Sequence, residues 1–304
     1  MSVMRLGYVH LRVTDTDQAR SHYADTLGMR LIAEQDGRLY FKAWDEYDHH
    51  SVVVEPGGVG LVKLGYKVSR GDDLDLFERR ARNFGCLTER MSAGDNLAVG
   101  DGVRIVLPSD HVVELYHEAE QVGTEVGILN PAPFPRHLVG VGVPRIDHAA
   151  ITAEDPATLE RFFAEVLDFR AAERLVADPG EDEALIGSWM FCSNTPHDIA
   201  FLQGQNGKLH HFAYLLEDWN DIRRAGDLFS MDDVPVDVGP TRHGITRGQT
   251  IYFFDPAGNR NEVFSGGYLT YPDFPTITWT ADKLAQGIFY IGREIKDTFT
   301  SVVT

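Results

Sequence analysis

Cysteine is scarce in this chain. Its 304 residues include two cysteines, Cys86 and Cys192, and the sequence contains no CxxC spacing. Two thiols cannot build the disulfide framework on which small secreted folds depend. The scarcity therefore predicts a protein of the reducing cytoplasm that is stable without disulfides.

Basic charge is also scarce, because 28 lysine and arginine residues face 46 aspartate and glutamate residues, for a formal net charge of −18. Nucleic acids and anionic membranes both require a basic surface. The charge therefore predicts that neither is a partner. The N-terminus lacks the apolar run of a signal peptide, and no stretch approaches the roughly 18 apolar residues of a membrane span.

Histidine, in contrast, is abundant, with 12 residues. The hydrophobic fraction of 43% and the charged fraction of 24% are ordinary for a soluble globular protein. Packing and solubility do not call for so many imidazoles, so their number indicates metal binding or acid–base chemistry. The length corresponds to one large domain or two modest ones.

The two halves of the chain repeat one pattern of motifs. Tyr23 matches Phe163, the segment 63–66 matches 208–211, and Glu114 matches Glu262, in the same order along the chain. Such order indicates an old duplication with loop insertions. We predict a metal-free N-terminal domain at 1–130, a proline-rich linker at 131–144, a C-terminal catalytic domain at 145–270 and an extension at 271–304.

The pattern within each half predicts an α+β fold with mixed sheets. In the second half, a strand is expected over 145–151, a helix from Pro156, a strand over 209–216 and a helix over about 218–231. The segments 251–254 and 261–264 flank the turn residues 255–259 and predict a β-hairpin. The extension could form a helical cap over the second half or a subunit contact.

Three residues of the second half form a candidate metal site. His148 alternates with apolar residues on its strand, and His211 shares a face with Leu209 and Ala213. Neighbouring strand residues face opposite sides, so at most one of the pair 210–211 should enter the site. Counting through the hairpin loop pairs Tyr252 with Glu262 on one face. Taken alone, each of the two histidines could instead be a hydrogen-bonded core residue. Glu262 could be a solvated carboxylate on an edge strand.

Two imidazoles and one carboxylate leave three coordination positions open, which suits Fe(II), with Mn(II) as the alternative. Zinc sites usually have four ligands or a single open position. His197 and His243 lie in loops near these ligands and are candidates for acid–base roles, although each could be a surface histidine. In the first half the positions that match the ligands are interpreted as His10, Tyr66 and Glu114. The pair 49–50 is interpreted as part of an exposed acidic loop.

A longer set of motifs carries a family resemblance. The segment from Thr241 to Gly244, followed by Ile251 to Glu262, resembles the signature of type I extradiol ring-cleavage dioxygenases. The segments 146–148 and 207–212 resemble the two histidine motifs of that family, and 195–201 resembles its loop histidine. The resemblance extends over nearly the whole chain.

The resemblance implies the vicinal oxygen chelate fold, with tandem βαβββ modules, two in each half, curled around one metal site in the C-terminal half. It implies that His148, His211 and Glu262 bind Fe(II), that His197 acts as acid–base, and that His243 and Tyr252 contact the catechol hydroxyls. The implied reaction is extradiol cleavage of catechol or of small alkyl- or chlorocatechols by O2, which yields 2-hydroxymuconate semialdehyde. A homotetramer is implied as well.

The alternatives are a bicyclic substrate such as 2,3-dihydroxybiphenyl, a glyoxalase-like lyase or isomerase, and a metal-free binding module. A lyase or isomerase of this kind needs no pair of His243 and Tyr252. A metal-free module has no use for His148, His211 and Glu262 together. Four apolar residues near the site segments are candidate pocket walls: Trp189, Phe191, Ile245 and Phe254.

Overall fold

A computed structural model describes residues 2–178, 180 and 184–304. The chain folds into two twisted mixed sheets, one from each half. The first sheet has eight strands in the order β2-β3-β4-β1-β5-β8-β7-β6, and the second has nine in the order β14-β15-β16-β13-β9-β12-β11-β10-β17. None of the helices in these described ranges is long and apolar enough to cross a membrane.

The strands and helices have the following bounds. The first half contains β1 (Val3–Val13), α1 (Thr16–Arg20, continued by a π-helical turn over Ser21–Thr26), β2 (Arg30–Gln35), β3 (Arg38–Lys42), β4 (Val52–Pro56), β5 (Gly60–Val68), α2 (Asp73–Phe84), β6 (Leu87–Met91), β7 (Gly102–Val106) and β8 (Val112–Tyr116). The second half contains β9 (Arg145–Ala153), α3 (Pro156–Leu167), β10 (Arg170–Val176), β11 (Leu185–Phe191), β12 (Ile199–Gln203), β13 (Lys208–Leu215), α4 (Trp219–Met231), β14 (Val236–Arg242), β15 (Gly248–Phe254), β16 (Arg260–Gly266), β17 (Ile277–Thr280), α5 (Leu284–Ile288) and α6 (Asp297–Ser301).

Each sheet consists of two βαβββ modules that are joined through their first strands. Within a module the first and fourth strands pair in parallel, as β9 does with β12 and β13 with β16. The two modules meet where the first strands pair antiparallel, β1 with β5 and β9 with β13. This arrangement confirms the predicted α+β fold with two modules in each half.

The helix boundaries follow from capping groups in the sequence. The carboxylate of Asp155 accepts from the backbone N–H of Thr158, and Pro156 occupies the first turn of α3. The carboxylate of Asp218 caps α4 in the same way. Both helices begin where the sequence predicted them.

The two sheets share one hydrophobic core and several polar contacts. Tyr23 of the first half donates to Asp255 of the second across 3.0 Å, and the backbone N–H of Gly60 donates to the side chain of Asn259 across 2.9 Å. The first sheet ends at Tyr116 and the second begins at Arg145, while the exact domain boundaries stay a prediction.

The C-terminal segment, residues 277–304, packs back onto the second half. Its first strand, β17, pairs in parallel with β10 at the edge of the sheet. The helix α6 reaches the opposite side, where its Phe299 is buried. The segment therefore covers part of the second half, while its role as a subunit contact stays a prediction.

Candidate metal centre

Three neighbouring strands of the second sheet carry the candidate ligands. His148 lies on β9, His211 on β13 and Glu262 on β16, and these strands are adjacent in the sheet. The hairpin pairs Tyr252 with Glu262, which confirms the register predicted by counting through its loop. Side chains on one face of adjacent strands approach closely, so the sheet itself assembles the group.

The three candidate ligands form a compact, buried cluster. The Oε2 atom of Glu262 lies 3.0 Å from Nε2 of His148 and 3.1 Å from Nε2 of His211. The two Nε2 atoms are 3.3 Å apart. Within the described part of the chain, this is the one group of three such residues whose ligand atoms all lie within 4.8 Å of one another.

The electrostatics of the cluster favour a positive charge between its members. Burial alone would lower the pKa of His148, but the carboxylates of Asp147 and Glu262 raise it to about 9. Burial would raise the pKa of Glu262, yet its close contacts with the surrounding histidines, His148 first, hold it well below its ordinary value. A proton therefore has to bridge these groups when no metal does. A divalent cation fits the same place, because a buried carboxylate and two imidazole lone pairs converge there.

Each candidate ligand is also held from behind by one partner. Asp147 lies 2.8 Å from Nδ1 of His148, and the hydroxyl of Thr250 donates to Oε1 of Glu262 across 2.5 Å. Contacts of this kind fix the orientation of a metal ligand and its free lone pair. Because Thr250 holds Oε1, Oε2 is the oxygen directed to the histidines.

His210 is the partner of His211, across 2.6 Å between their Nδ1 atoms. It also lines the same cavity. The prediction that at most one of this pair enters the site is wrong, because β13 is irregular between Leu209 and His211 and strict alternation fails there.

His197 lies in the loop before β12 and points into the cluster. Its ring centroid is 3.8 Å from that of His148, and its Nδ1 atom is buried without a hydrogen-bond partner. Burial, followed by the positive charge of His148, lowers the pKa of His197 well below its ordinary value. It is therefore a neutral imidazole with one polar atom free for a ligand.

His243 and Tyr252 form a hydrogen-bonded pair beside the ligands. The carbonyl of Ile288 accepts from Nδ1 of His243, so Nε2 carries the lone pair. The hydroxyl of Tyr252 lies 3.0 Å from this Nε2 atom and donates to it. Burial and the neighbouring Glu262 raise the pKa of Tyr252 well above its ordinary value, so the phenol keeps its proton.

These six residues line one cavity. Of the predicted wall residues, Trp189 and Ile245 line it, whereas Phe191 and Phe254 do not. Phe254 is the last residue of β15, and its ring lies 5.0 Å from the guanidinium of Arg260 instead.

Several residues that line the cavity were not predicted from the sequence. They are Ala150, Ala200, Leu202, Thr246 and Phe264, and the C-terminal segment adds Ile288 and Phe299. The alternation of side chains along β9 and β12 could have placed the two alanines on the face of the sheet that lines the cavity. No local signal connects residues 288 and 299 to the site.

The first half has a counterpart of this cluster, and strand pairing identifies it. Glu114 on β8 corresponds to Glu262 on β16, as expected. Gly65 lies opposite Glu114, and Ala213 lies opposite Glu262. Two residues earlier on each strand, Lys63 therefore corresponds to His211. The interpretation of Tyr66 as the matching residue is wrong, because it relied on a short local match that is out of register.

The same correction applies to the first strand. The pairing of β1 with β5 and of β9 with β13 makes Tyr8 the counterpart of His148. His10, the residue interpreted as its match, corresponds to Ala150. Tyr8 and His148 are 140 positions apart in the sequence, the same separation as between Tyr23 and Phe163. Matching His10 with His148 would instead give a separation of 138.

The counterpart cluster is a buried ion-pair network. Lys63 Nζ lies 3.0 Å from Oε2 of Glu114, and Arg104 Nη2 lies 2.8 Å from Oε1. Tyr8 and Asn96 also donate to the same carboxylate. Two cationic side chains thus neutralise Glu114 where the second half offers imidazoles.

His49 and His50 are buried, with exposed fractions of 8% and 5%. The interpretation of this pair as an exposed acidic loop is therefore wrong. The backbone N–H of His49 donates to Glu120, and both rings contact Tyr40, so the segment packs against the first sheet. By strand pairing His50 is the counterpart of His197.

The chain resembles known proteins over its whole length. Residues 145–263 match the glyoxalase/bleomycin resistance protein/dioxygenase superfamily, and residues 63–120 match the catechol 2,3-dioxygenase-like N-terminal domain. Metapyrocatechase of Pseudomonas sp. (strain CF600) is 41% identical over 99% of this chain and 99% of its own length. The manganese-dependent 2,3-dihydroxybiphenyl 1,2-dioxygenase of Geobacillus genomosp. 3 is 28% identical over 97% and 95%.

Among solved structures, the 2,3-dioxygenase LapB from Pseudomonas sp. KL28 superimposes with a TM-score of 0.89 at 40% identity, covering 93% of this chain and 99% of its own. Fold, cluster and matches define a protein of the vicinal oxygen chelate superfamily, whose dioxygenase relatives imply a catalytic metal. More narrowly, the chain belongs to the extradiol ring-cleavage dioxygenases, the family that includes metapyrocatechase. The resemblance seen in the sequence is thereby confirmed.

Proposed function

We propose that the chain cleaves catechol, or a small alkyl- or chlorocatechol, beside its two hydroxyl groups and incorporates both atoms of O2. The product from catechol is 2-hydroxymuconate semialdehyde. The observation that carries the proposal is the convergence of His148, His211 and Glu262 with His197 and the pair His243–Tyr252 on one buried cavity. The 41% identity to a metapyrocatechase supports the substrate class.

The proposed metal is Fe(II), one per chain, bound by Nε2 of His148, Nε2 of His211 and Oε2 of Glu262. Mn(II) is the alternative, because a relative is named as manganese-dependent. When bound, the metal supplies open positions that favour catechol deprotonation and bring catechol and O2 together. Thr250 retains Oε1 of the glutamate, so a single carboxylate oxygen serves as ligand.

Tyr252 and His243 receive the catechol hydroxyl in this proposal. The O–H of Tyr252 points to Nε2 of His243, so the phenol oxygen presents its lone pairs to an arriving hydroxyl. A proton leaving the catechol can move to the phenol oxygen as the phenol passes its own proton to His243. The ring Nδ1–H of His243 meanwhile donates to the Ile288 carbonyl.

His197 is the proposed acid–base for ring cleavage. Its neutral ring and unpartnered Nδ1 atom let it take up the second hydroxyl proton of the catechol and return that proton to oxygen when the O–O bond breaks. Its position against the His148 ring places it on the ligand side of the cavity.

The cavity lining favours an uncharged catechol. Among the described residues the lining contains no lysine or arginine that would pair with an acidic ring substituent. Much of the remaining wall is apolar, with Trp189, Leu202, Ile245 and Ile288. A ring that carries a carboxylate would lose its hydration there without gaining a partner.

Oxygen uptake with a visible spectrum tests the proposal after anaerobic loading with Fe(II). We expect one O2 consumed per catechol and a yellow product, with slower turnover of 2,3-dihydroxybiphenyl and of an acidic catechol. Faster turnover of the bicyclic catechol would reassign the substrate. Absence of uptake by protein with verified iron content would refute ring cleavage of these substrates.

We also propose a cytoplasmic homotetramer. Both cysteines are free thiols, and the segment 128–139 carries exposed apolar side chains, among them Ile128, Leu129 and Phe134. Such residues are more common at protein contacts than on an open surface. Light scattering after size exclusion should give four chains per particle, and the substitution Leu129→Asp should reduce that number. A monomer would contradict the assembly.

A further inference from the structure

The histidine that precedes the candidate ligand His211 makes two hydrogen bonds that determine its tautomer. Nδ1 of His210 lies 2.6 Å from Nδ1 of His211, and Nε2 of His210 lies 2.7 Å from the carbonyl oxygen of Phe299. The His210 ring is buried, with an exposed fraction of 3%. Phe299 belongs to α6, in the C-terminal segment.

A carbonyl oxygen can only accept, so the hydrogen on His210 is at Nε2. Two N–H groups cannot face each other across 2.6 Å, so one of the two Nδ1 atoms is a bare acceptor. A neutral imidazole carries one ring hydrogen, and among the described residues no carboxylate lies within hydrogen-bond distance of the buried His210 ring to hold a second. Nδ1 of His210 is therefore the acceptor, and Nδ1 of His211 donates.

This assignment leaves Nε2 of His211 without a hydrogen, on the side of the ring that faces Oε2 of Glu262. A metal ligand must present such a lone pair, and the hydrogen bond at the other ring nitrogen determines whether it does. The chain of bonds from Phe299 through His210 to His211 thus ends at the candidate coordination site.

The Phe299 carbonyl is itself fixed by the surrounding structure. Arg260 donates to the carbonyls of Thr298 and Val302, each across 2.8 Å, and pairs with Asp237. The Thr298 hydroxyl donates to the same aspartate across 2.6 Å. The last residue, Thr304, exchanges two backbone hydrogen bonds with Leu209 on β13.

We propose that His210 is a positioning residue that fixes His211 in its metal-binding tautomer, and that the C-terminal segment sets His210 through the Phe299 carbonyl. The inference rests on the proposed role of His211 as a metal ligand. It gives the C-terminal segment a part in metal binding beyond covering the cavity.

The first half supports this reading of the pair. By the same strand correspondence, His211 is replaced by Lys63 and His210 by Val62. An ammonium group donates in every direction and needs no partner to select a tautomer. The preceding imidazole is therefore present in the half where the ligand is an imidazole and absent where it is not.

Three substitutions separate the two bonds of His210. His210→Phe removes both. His210→Gln keeps a donor near the Nε2 position for Phe299 but removes the acceptor for His211, and His210→Asn keeps an acceptor near the Nδ1 position. His22→Phe is the matched control, because His22 is also buried, has an unpartnered Nε2 atom and corresponds to Phe162 in the second half.

The measurements are the Mn(II) dissociation constant from equilibrium dialysis and a neutron structure of the metal-free wild type. We expect His210→Phe and His210→Gln to bind Mn(II) roughly 10–100-fold more weakly. His210→Asn and His22→Phe should stay close to wild type. The neutron structure should show hydrogen on Nδ1 of His211 and none on Nε2.

Hydrogen on Nε2 of His211 would overturn the proposal without any variant. Equal affinities of the Gln and Asn variants would overturn it even if His210→Phe fails to fold. A wild type that binds neither Mn(II) nor Fe(II) would instead refute the proposed metal site. The two failures are therefore distinguishable.

Discussion

The two halves of the chain bury a glutamate at the same place in the same fold and balance its charge in different ways. In the first half Lys63 and Arg104 surround Glu114. In the second half the corresponding residues around Glu262 are His211 and Tyr252, neither of which is a permanent cation. A buried carboxylate needs a compensating positive charge in both cases.

The difference shows how one sheet can serve as scaffold and as reaction site. Side-chain cations satisfy Glu114 completely and leave no lone pair or open position for a ligand. Imidazoles present lone pairs to a cation that the chain does not supply, and a phenol beside them has capacity for a further hydrogen bond. The second half therefore offers a place where a bound cation could balance the glutamate.

The largest expected effect is the loss of metal and activity when Glu262, but not Glu114, is replaced by glutamine. Glu262→Gln should remove bound metal and lower ring-cleavage activity at least roughly a thousandfold, since several kcal/mol of metal-derived stabilisation are lost. Glu114→Gln should retain metal and activity. Metal analysis and oxygen uptake measure both. Equal losses in the two variants would show that the halves do not differ in the way described.

A second pair of variants compares the corresponding histidines of the two halves. His197→Ala should lower kcat by about 10²–10⁴-fold, the usual contribution of a positioned acid–base, while metal content is unchanged. His50→Ala should leave kcat near the wild-type value. Turnover of His197→Ala at the wild-type rate would contradict the acid–base role.

A smaller effect is expected at Thr250, which holds Oε1 of Glu262. The isosteric change Thr250→Val should weaken Mn(II) binding by roughly 10–100-fold, as for other partners of metal ligands. Thr250→Ser keeps the hydroxyl and should behave like wild type. If the valine and serine variants bind Mn(II) equally, the hydroxyl does not orient the carboxylate.

The smallest effect on activity is expected at Lys63. Lys63→Met leaves Glu114 with less positive charge and should lower the free energy of unfolding by about 2 kcal/mol at neutral pH, since Arg104 remains. Activity should be unaffected. Lys283→Met, at an exposed ion pair, is the control and should change stability by less than about 0.5 kcal/mol.

The effect of Lys63→Met should also depend on pH. Burial would raise the pKa of Glu114, but Lys63 and its other partners lower it below the ordinary value of 4.5. A lowered carboxyl pKa contributes stability above 4.5 that is lost as the pH falls through the folded-state pKa. The difference in the free energy of unfolding between Lys63→Met and the wild type should therefore become smaller at acidic pH. Urea unfolding at several pH values measures it, and a constant difference would argue against this ion pair.

Much of the second half could be predicted from the sequence because its signals are local. Asp155 with Pro156 marks a helix start, and the turn 255–259 fixes the pairing of Tyr252 with Glu262. The alternation of apolar residues around His148 and His211 gives their faces. These features need no knowledge of how distant strands align.

The remainder depends on strand register and on docking, which local patterns do not contain. The irregularity in β13 turns His210 toward the cavity, and only the pairing with β9 shows it. The counterparts Tyr8 and Lys63 likewise emerge from pairing and not from a shared motif. The spacing of apolar residues predicts helices in the C-terminal segment, but the contact of Phe299 with the site is a tertiary one.

The central claim is that the second half binds one metal ion while the first half supplies its own cations. Anomalous diffraction at the iron edge from crystals of the Fe(II)-loaded protein tests it directly. We expect one peak per chain, within bonding distance of Nε2 of His148, Nε2 of His211 and Oε2 of Glu262. A peak beside Glu114, or none between these three ligands, would contradict it.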